Sequence, residues 1–359
     1  MKPAIHHLKL TGNNPREWGR QQGEALRTQI QEMNAIRQVL LAGFLKSWTR
    51  EKILVLCKAH AATLERQDAA LFSETRGISE ASGVSVEDLM ALNAYTDMRD
   101  FSAGDHAQIE GGCSILAAKS NSVNFAAQTW DMHASAAPYM LLLEVPAPVP
   151  MHVLTITGCL GLCGVNEAGL SVMINNMHCS ETNRDGIVWP GLVRKMLATT
   201  TTTEATDVLS RNIPSSGHNY LIFDPKSAVN IETSGLRYEQ TGKLSESDAG
   251  YLVHTNHYVG TLKSIEIMER QSHSTHARMA ALETFMKSHP VDTVKGSQLA
   301  HSLFVEGAAC AVLNIPPEAG APHGSATCGG IMVDHKTRRA SIFAGLYRDN
   351  QIIEWELKS

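Results

Sequence analysis

The chain has 359 residues, 43% of them hydrophobic and 19% charged, with a net charge of −5. This length supports a large core in one or two domains. No basic run marks a nucleic-acid surface, and no apolar run approaches the roughly 20 residues of a membrane span. The seven cysteines, Cys57, Cys113, Cys159, Cys163, Cys179, Cys310 and Cys328, are odd in number and scattered. Met1 to His7 lacks a signal-peptide core, and Leu357-Lys358-Ser359 is not the Ser-Lys-Leu address, so reduced thiols in a cytoplasm are expected.

In chain order, residues 5–11 read as a strand. Asn14 is placed to cap a helix with Pro15 at its first position. That helix is expected to reach Leu41 or beyond, with Leu26, Ile30, Met33 and Ile36 on one face. Further helices are expected near 50–72, 71–82 and 86–98. Ser85, with Asp88 three residues on, opens the last of them as a capping box. From residue 113 strands dominate, at 113–119, 123–131, 139–145, 151–157, 160–165 and 170–175. Met140 to Leu143 is apolar on both faces, which suits a sheet covered on both sides. Gly164 to Leu170 reads as a tight hairpin turn. Helical pattern returns around 190–210, and strands follow at 219–224, 228–233 and 250–254. Helices near 273–288 and 293–304 precede two last strands, 329–334 and 339–344. This order predicts an α+β fold: a mainly helical N-terminal segment, then two antiparallel sheets stacked between helical layers.

The chemistry concentrates at Glu110-Gly111-Gly112-Cys113-Ser114. The run that follows turns at Lys119 to Ser122 and returns through Asn124 to Asp131. Pairing as a hairpin sets Cys113 opposite Trp130 and Asp131, so a thiol and a carboxylate meet at one end of a sheet. Glycine at 112 leaves its carbonyl unshielded. A thiol beside that carbonyl can attack it, shift the acyl group from nitrogen to sulfur, and let water cut the chain. Cys113 then becomes an N-terminus. Its α-amine, with a pKa of about 7.7–8.0, can serve as base for its own thiol, of about 8.5. The bland reading of Cys113 is a small buried apolar filler.

His254-Thr255-Asn256-His257 ends a strand. The Asn256 amide there can donate to an oxyanion beside Cys113, where a loop cap is the ordinary role. Asn175, closing another strand, is a second candidate donor through its backbone. Among 16 histidines, His254/His257 and His273/His276 are three apart, a spacing zinc sites use. No His-Glu-x-x-His occurs, and Cys159-x-x-x-Cys163 lacks a matching pair, so neither a metal nor a cofactor is expected. Trp130, His133, Met177 and Trp189 are candidate pocket residues whose ordinary role is core packing.

Several segments in order resemble the acyl-coenzyme A:6-aminopenicillanic-acid acyltransferase family, the C45 cysteine peptidases within the N-terminal-nucleophile hydrolases. They are Gly12-x-x-x-x-Glu17-x-Gly19-x-x-x-Gly23, Asp88 to Ala94, Gly112-Cys113-Ser114 and Gln128-Thr129-Trp130-Asp131. Gly164 to Leu170, His254 to His257 and Ser274 to Arg278 also fit. The resemblance implies a four-layer αββα sandwich and self-cleavage into residues 1–112 and 113–359, two subunits of one domain. It implies Cys113 as nucleophile and base, Asp131 orienting the amine, and Asn256 and Asn175 as oxyanion donors. The family's acyltransferases carry an arginine just before the late strand, whereas this chain reads His323-Gly324-Ser325-Ala326-Thr327-Cys328. His323 is the substitute offered, and His323 and Ser325 join the candidate pocket residues.

The expected function is hydrolysis or transfer of an acyl group of a small amide or peptide-like substrate through a Cys113 thioester. The alternatives are a penicillin-type acyl-CoA-dependent acyltransferase, a metal-dependent hydrolase, and a non-enzymatic small-molecule-binding protein. The expected partners are the substrate and the chain's own N-terminal fragment, with homo-oligomerisation left open.

Overall fold

The computed structural model describes residues 5–102, 112–267, 273–347 and 352–358. Glu110 and Gly111 of the junction lie outside the described residues, as does the rest of the polar segment 103–111. The chain opens with β1 (His6–Lys9), then α1 (Pro15–Ala25), α2 (Arg27–Phe44), α3 (Arg50–Gln67), α4 (Ala69–Ser82), α5 (Val86–Asn93) and α6 (Asp97–Phe101). Asn14 caps α1, its side-chain oxygen accepting from the Arg16 N–H at 3.0 Å ahead of Pro15-led helical backbone. Ser85 caps α5, accepting from the Asp88 N–H at 3.1 Å and donating to the Asp88 carboxylate at 2.8 Å.

The single helix expected from residue 15 to Leu41 is two helices, broken at Leu26 with φ −125° and ψ 28°. α1 lies backbone to backbone on α4. A side chain at Gly19 would run into the Glu74 carbonyl, and one at Gly77 into the Arg16 carbonyl. α2 packs against α5 as well as α4. Two partners in different directions bend the chain where no propensity signal marks a break. Gly19 and Gly23 of the motif thus have a packing reason, a close approach of α1 to α4, whereas Gly12 has open space around it and a φ of 76°.

Beyond the junction come β2 (Cys113–Lys119), β3 (Asn124–His133), β4 (Met140–Val145), β5 (Met151–Ile156), β6 (Cys163–Asn166) and β7 (Ser171–Asn176). Then follow α7 (Trp189–Leu197), α8 (Thr202–Arg211), β8 (His218–Phe223), β9 (Ala228–Thr233), β10 (Tyr238–Leu244) and β11 (Gly250–His254). The chain closes with α9 (His273–Ser288), α10 (Gly296–Phe304), α11 (Ala308–Leu313), β12 (Ser325–Asp334), β13 (Arg339–Ala344) and β14 (Ile352–Glu356). One sheet runs β1-β4-β5-β6-β7-β8-β9-β10 and the other β11-β2-β3-β12-β13-β14. Neighbours are antiparallel except β1, which pairs parallel with β4. Side-chain alternation divides β2 between two cores. Cys113, Ile115 and Ala117 join a core with Leu154, Met173 and Ile222 of the larger sheet. Leu116 and Ala118 join Leu282, Phe285 and Leu299 of α9 and α10. With α7 against β6 and β7 on the far side, the layers are αββα, as expected.

Two strands carry no sequence signal. β10 and β14 are edge strands, and each alternates exposed with part-buried positions. Their polar composition answers to solvent rather than to a core.

A buried ion pair joins the N-terminal helices to the rest. Arg194 of α7 donates to both carboxylate oxygens of Glu74 on α4, at 2.9 and 2.8 Å, and to the Leu160 carbonyl at 3.1 Å. Both residues are buried, so removing one partner strands the other charge. Arg194→Ala is expected to cost about 3–5 kcal/mol, read as a fall in unfolding free energy by denaturant titration. A cost below about 1 kcal/mol, the scale of an exposed pair, would show that the pair does not hold the helices in place.

Candidate active site

Cys113 is the first residue of β2, and its register partner on β3 is Trp130. The turn expected near Asn121 and Ser122 sets that register, closed by the Ser120 N–H donating to the Val123 carbonyl at 2.7 Å. Asp131, next along β3, donates its backbone N–H to the Gly112 carbonyl at 2.8 Å. The thiol residue, the carboxylate residue and the Gly112 carbonyl therefore share one sheet end.

Three side chains, from β7, α9 and the segment after β11, close on this junction, and a fourth, from β8, orients one of them. Asn256, just past β11, accepts the Cys113 N–H on Oδ1 at 2.8 Å. Its Nδ2 donates to the Asn176 carbonyl at 2.9 Å, leaving one of its two amide hydrogens. Asn175 of β7 donates from Nδ2 to the Cys113 carbonyl at 2.9 Å. Asn219 of β8 fixes that orientation by donating to Asn175 Oδ1 at 3.0 Å. Arg278 of α9 donates to the Cys113 carbonyl at 2.7 Å, to Ser114 Oγ at 3.0 Å and to Asn256 Oδ1 at 2.8 Å.

Two sequence-derived roles need correction. Asn175 was expected to act through its backbone; it reaches Cys113 with its side chain, because β7 faces β2 across the sandwich. The expected gap left by a missing arginine is filled, but from elsewhere: Arg278 comes from α9, five residues into that helix. His323, offered as a substitute, stands beside Ser135 and His133. Its Nδ1 lies 3.1 Å from Ser135 Oγ, and its ring is 6.4 Å from that of His133. The motif Ser274 to Arg278 carried the signal for Arg278, but only the fold shows where that helix points.

Gly112 is surrounded. A Cβ there would fall 2.7 Å from Asn256 Oδ1 and inside the Arg278 guanidinium. No residue other than glycine fits between these two groups without moving them.

Burial sets the electrostatics. It pushes the Cys113 thiol up to about 12, with Asp131 adding to the rise and Arg278 opposing it. It also raises Asp131 to about 7, against the pull of Arg278 and of Thr327. Thr327 Oγ1 donates to Asp131 Oδ1 at 2.7 Å, while Oδ2 has no partner among the described residues. Burial lowers Arg278, and Asp131 and Cys113 counter it. A buried carboxylate raised toward neutrality, with one oxygen unpartnered among the described residues, can carry a proton.

The remaining candidates divide. Trp130 is core. Met177 packs with Cys179, Tyr258 and Leu262, and Trp189 donates to Thr96 Oγ1 at 3.1 Å within the core. His133 and Ser325 pair across β3 and β12, and His133 Nδ1 lies 2.7 Å from Ser135 Oγ. Two of the four histidines weighed as metal ligands have hydrogen-bond partners of another kind. His254 Nε2 meets Glu232 Oε1 at 2.8 Å and its Nδ1 the Thr255 carbonyl at 2.7 Å. His257 meets Thr275 Oγ1 at 2.9 Å.

Gln128 was quoted only as part of a motif. It ties the two sheets together at this end, donating to the Ile174 carbonyl at 2.8 Å and accepting from the Ile174 N–H at 2.9 Å.

Comparison with known proteins follows the same residues. Residues 117–303 match the family model described as acyl-coenzyme A:6-aminopenicillanic acid acyl-transferase. That stretch holds Asp131, Asn175, Asn256 and Arg278, and begins just after the junction. The chain is 22% identical over 254 residues to the 40 kDa form of acyl-coenzyme A:6-aminopenicillanic-acid-acyltransferase from Emericella nidulans, covering 70% of this chain and 69% of that one. Among solved structures it is similar to penicillin V acylase from Agrobacterium tumefaciens, with TM-score 0.41 and 13% identity over 68% of this chain and 86% of that one. It is also similar to conjugated bile acid hydrolase from Clostridium perfringens, with TM-score 0.36 and 12% identity over 70% and 85%. With more than half of its length matched by the family model, the chain belongs to the acyl-coenzyme A:6-aminopenicillanic acid acyl-transferase family.

Proposed function

We infer that the chain cuts itself between Gly112 and Cys113, and that the freed Cys113 then hydrolyses or transfers the acyl group of a small amide through a thioester. The observation that carries this reading is the pair of hydrogen bonds across the junction. Asp131 N–H holds the Gly112 carbonyl, and Asn256 Oδ1 holds the Cys113 nitrogen, each at 2.8 Å. One donor sits where negative charge develops on the oxygen, and one acceptor sits on the nitrogen that leaves.

In the cut, Cys113 Sγ adds to the Gly112 carbonyl carbon and the oxygen charge falls on the Asp131 N–H. The carbon–nitrogen bond breaks, its electron pair stays on the Cys113 nitrogen, and the thiol proton reaches that nitrogen by way of Asp131 Oδ2. Water hydrolyses the resulting thioester, giving a Gly112 carboxylate and restoring the thiol. The N-terminal fragment stays in place, because β1 belongs to the larger sheet and Glu74 is paired with Arg194.

In turnover, the Cys113 α-amine takes the thiol proton while Asn256 Oδ1 and Asp131 hold that amine. The thiolate adds to the substrate carbonyl, and the second Asn256 Nδ2 hydrogen donates to the oxyanion. The amine product leaves with the proton held by the α-ammonium. Water then releases a carboxylic acid, and an amine acceptor in its place gives transfer. Hydrolysis is the preferred reading; transfer from an acyl-coenzyme A, as the name of the Emericella relative states for that protein, uses the same acyl-enzyme.

Three outcomes test this. Purified wild-type protein is expected to give two masses, one for a fragment starting at Cys113, whereas Cys113→Ala gives a single uncut chain without amidase activity; a cut and active Cys113→Ala sinks the proposal. Asn256→Ala is expected to lower kcat by about 100-fold or more, and unchanged turnover would reduce Asn256 to a loop cap. Self-cleavage needs Asp131 ionised, so its rate is expected to rise as pH increases through about 7. Asp131→Asn should remove that rise; a wild-type rate flat from pH 5 to 9, followed by gel, contradicts the role.

A further inference from the structure

Among the described residues three arginines are almost fully buried, and two of them have obvious employment. Arg194 has Glu74, and Arg278 has the Cys113 junction. Arg37 of α2 has neither. It is 3% exposed, and among the described residues no carboxylate pairs with it. Its Nη1 reaches the Met132 sulfur at 4.0 Å, Tyr95 takes a side-chain hydrogen bond from it, and its Nε has no partner. Its flat face lies on the Tyr95 ring, 3.8 Å from the centre, a modest compensation. An isolated buried cation costs several kcal/mol.

The groups around it are also short of partners. His133, whose ring is 5.9 Å from that of Tyr95, is 4% exposed and has an unpartnered Nε2. Its Nδ1 is engaged with Ser135, so Nε2 is the nitrogen left for a ligand. Ser325, paired with His133 across β3 and β12, has an unpartnered Oγ. Arg37 Nε, His133 Nε2 and Ser325 Oγ, from α2, β3 and β12, are thus buried polar atoms without a hydrogen-bond partner near the end of β3.

We propose that Arg37, His133 and Ser325 bind a carboxylate carried by the substrate of the Cys113 site. A carboxylate is planar and takes two parallel hydrogen bonds from a guanidinium edge. It brings one charge to the one cation present, where a phosphate dianion would leave a second charge uncovered. His133 contributes no charge, since burial, helped by Arg37 and His323, pushes its imidazole down to about 2.

The position relative to Cys113 sets the substrate's length. Trp130 is opposite Cys113, and Met132 and His133 are two and three residues further along β3. That is roughly 7–10 Å at the rise of a strand. An extended chain advances about 1.25 Å per bond, from the 3.8 Å that three backbone bonds span, so the carboxylate belongs about six to eight bonds from the scissile carbonyl. It can sit on the amine part or on the acyl part of the amide. A simple N-acylglycine is too short.

This inference rests on the Cys113 reading, and the experiment separates the two. Purified protein is assayed with N-phenylacetyl-6-aminohexanoate against its carboxamide, and with the mono-anilide of pimelic acid against its methyl ester. Wild type is expected to prefer at least one carboxylate member about tenfold or more in kcat/KM, the scale of a charged hydrogen bond. Arg37→Met should bring that ratio close to one, and Arg37→Lys should restore part of it. Arg37→Met should also raise the melting temperature without ligand, because it removes an unpaired buried charge; a merely structural arginine would lower it. Binding is read separately, as stabilisation of the protein against heat by 6-acetamidohexanoate but not by its carboxamide. A chain that is never cut and never turns over, yet shows this Arg37-dependent stabilisation, loses the Cys113 reading and keeps the carboxylate site. No preference in either substrate pair, or a preference that survives Arg37→Met, overturns it. Should Arg37→Met fail to fold, Ser325→Ala is expected to lower the ratio severalfold, and an unchanged ratio in that variant counts against the site.

Discussion

The junction at Cys113 depends on a buried guanidinium. Arg278 has only donors to offer, and it spends them on the Cys113 carbonyl, the Ser114 hydroxyl and the Asn256 amide oxygen. That last bond decides which way Asn256 points. With Oδ1 held by Arg278, the same oxygen faces the Cys113 nitrogen, and Nδ2 turns to the Asn176 carbonyl. One cation thus orients the amide, and the amide orients the nitrogen. The cost is the desolvation of Arg278, offset by the nearby Asp131 and by three hydrogen bonds.

This arrangement leaves no room for a side chain at residue 112. Glycine is required there by collision with Arg278 and Asn256 rather than by backbone twist. The Gly112 carbonyl, on a buried residue, is held by the Asp131 N–H.

The sandwich supplies rigidity. Gln128 bonds both backbone groups of Ile174 across the two sheets, so β3 and β7 present Asp131 and Asn175 at a fixed separation. The N-terminal segment is part of the same fold through β1, through the glycine contact of α1 with α4, and through Glu74 with Arg194. The three buried arginines mark three uses of one residue: tying layers, orienting a junction, and, at Arg37, offering an unpaired fork at the end of β3. Cooperation of this kind is what preorganisation means in physical terms.

Much of the fold was legible from residue pattern. Asn14 with Pro15 and Ser85 with Asp88 announced their helices, because caps act within a few residues. The β2–β3 register followed from a short turn, and with it the placement of Cys113 against Trp130 and Asp131. Apolar runs such as Met140 to Leu143 foretold strands buried on both faces. The break at Leu26, the edge strands β10 and β14, and the side-chain reach of Asn175 were not legible. Each is decided by a partner distant in sequence: α4 for Leu26, solvent for the edges, β2 for Asn175. Arg278 is the clearest case. Its motif was visible, but a guanidinium 165 residues from Cys113 along the chain becomes its neighbour only when α9 packs on the outer face of β2. Sequence determined which groups the protein carries and which local turns and caps it forms, because those depend on neighbours a few residues away. Tertiary structure alone decided which of those groups meet, because hydrogen bonds and buried charges are settled by distance in space.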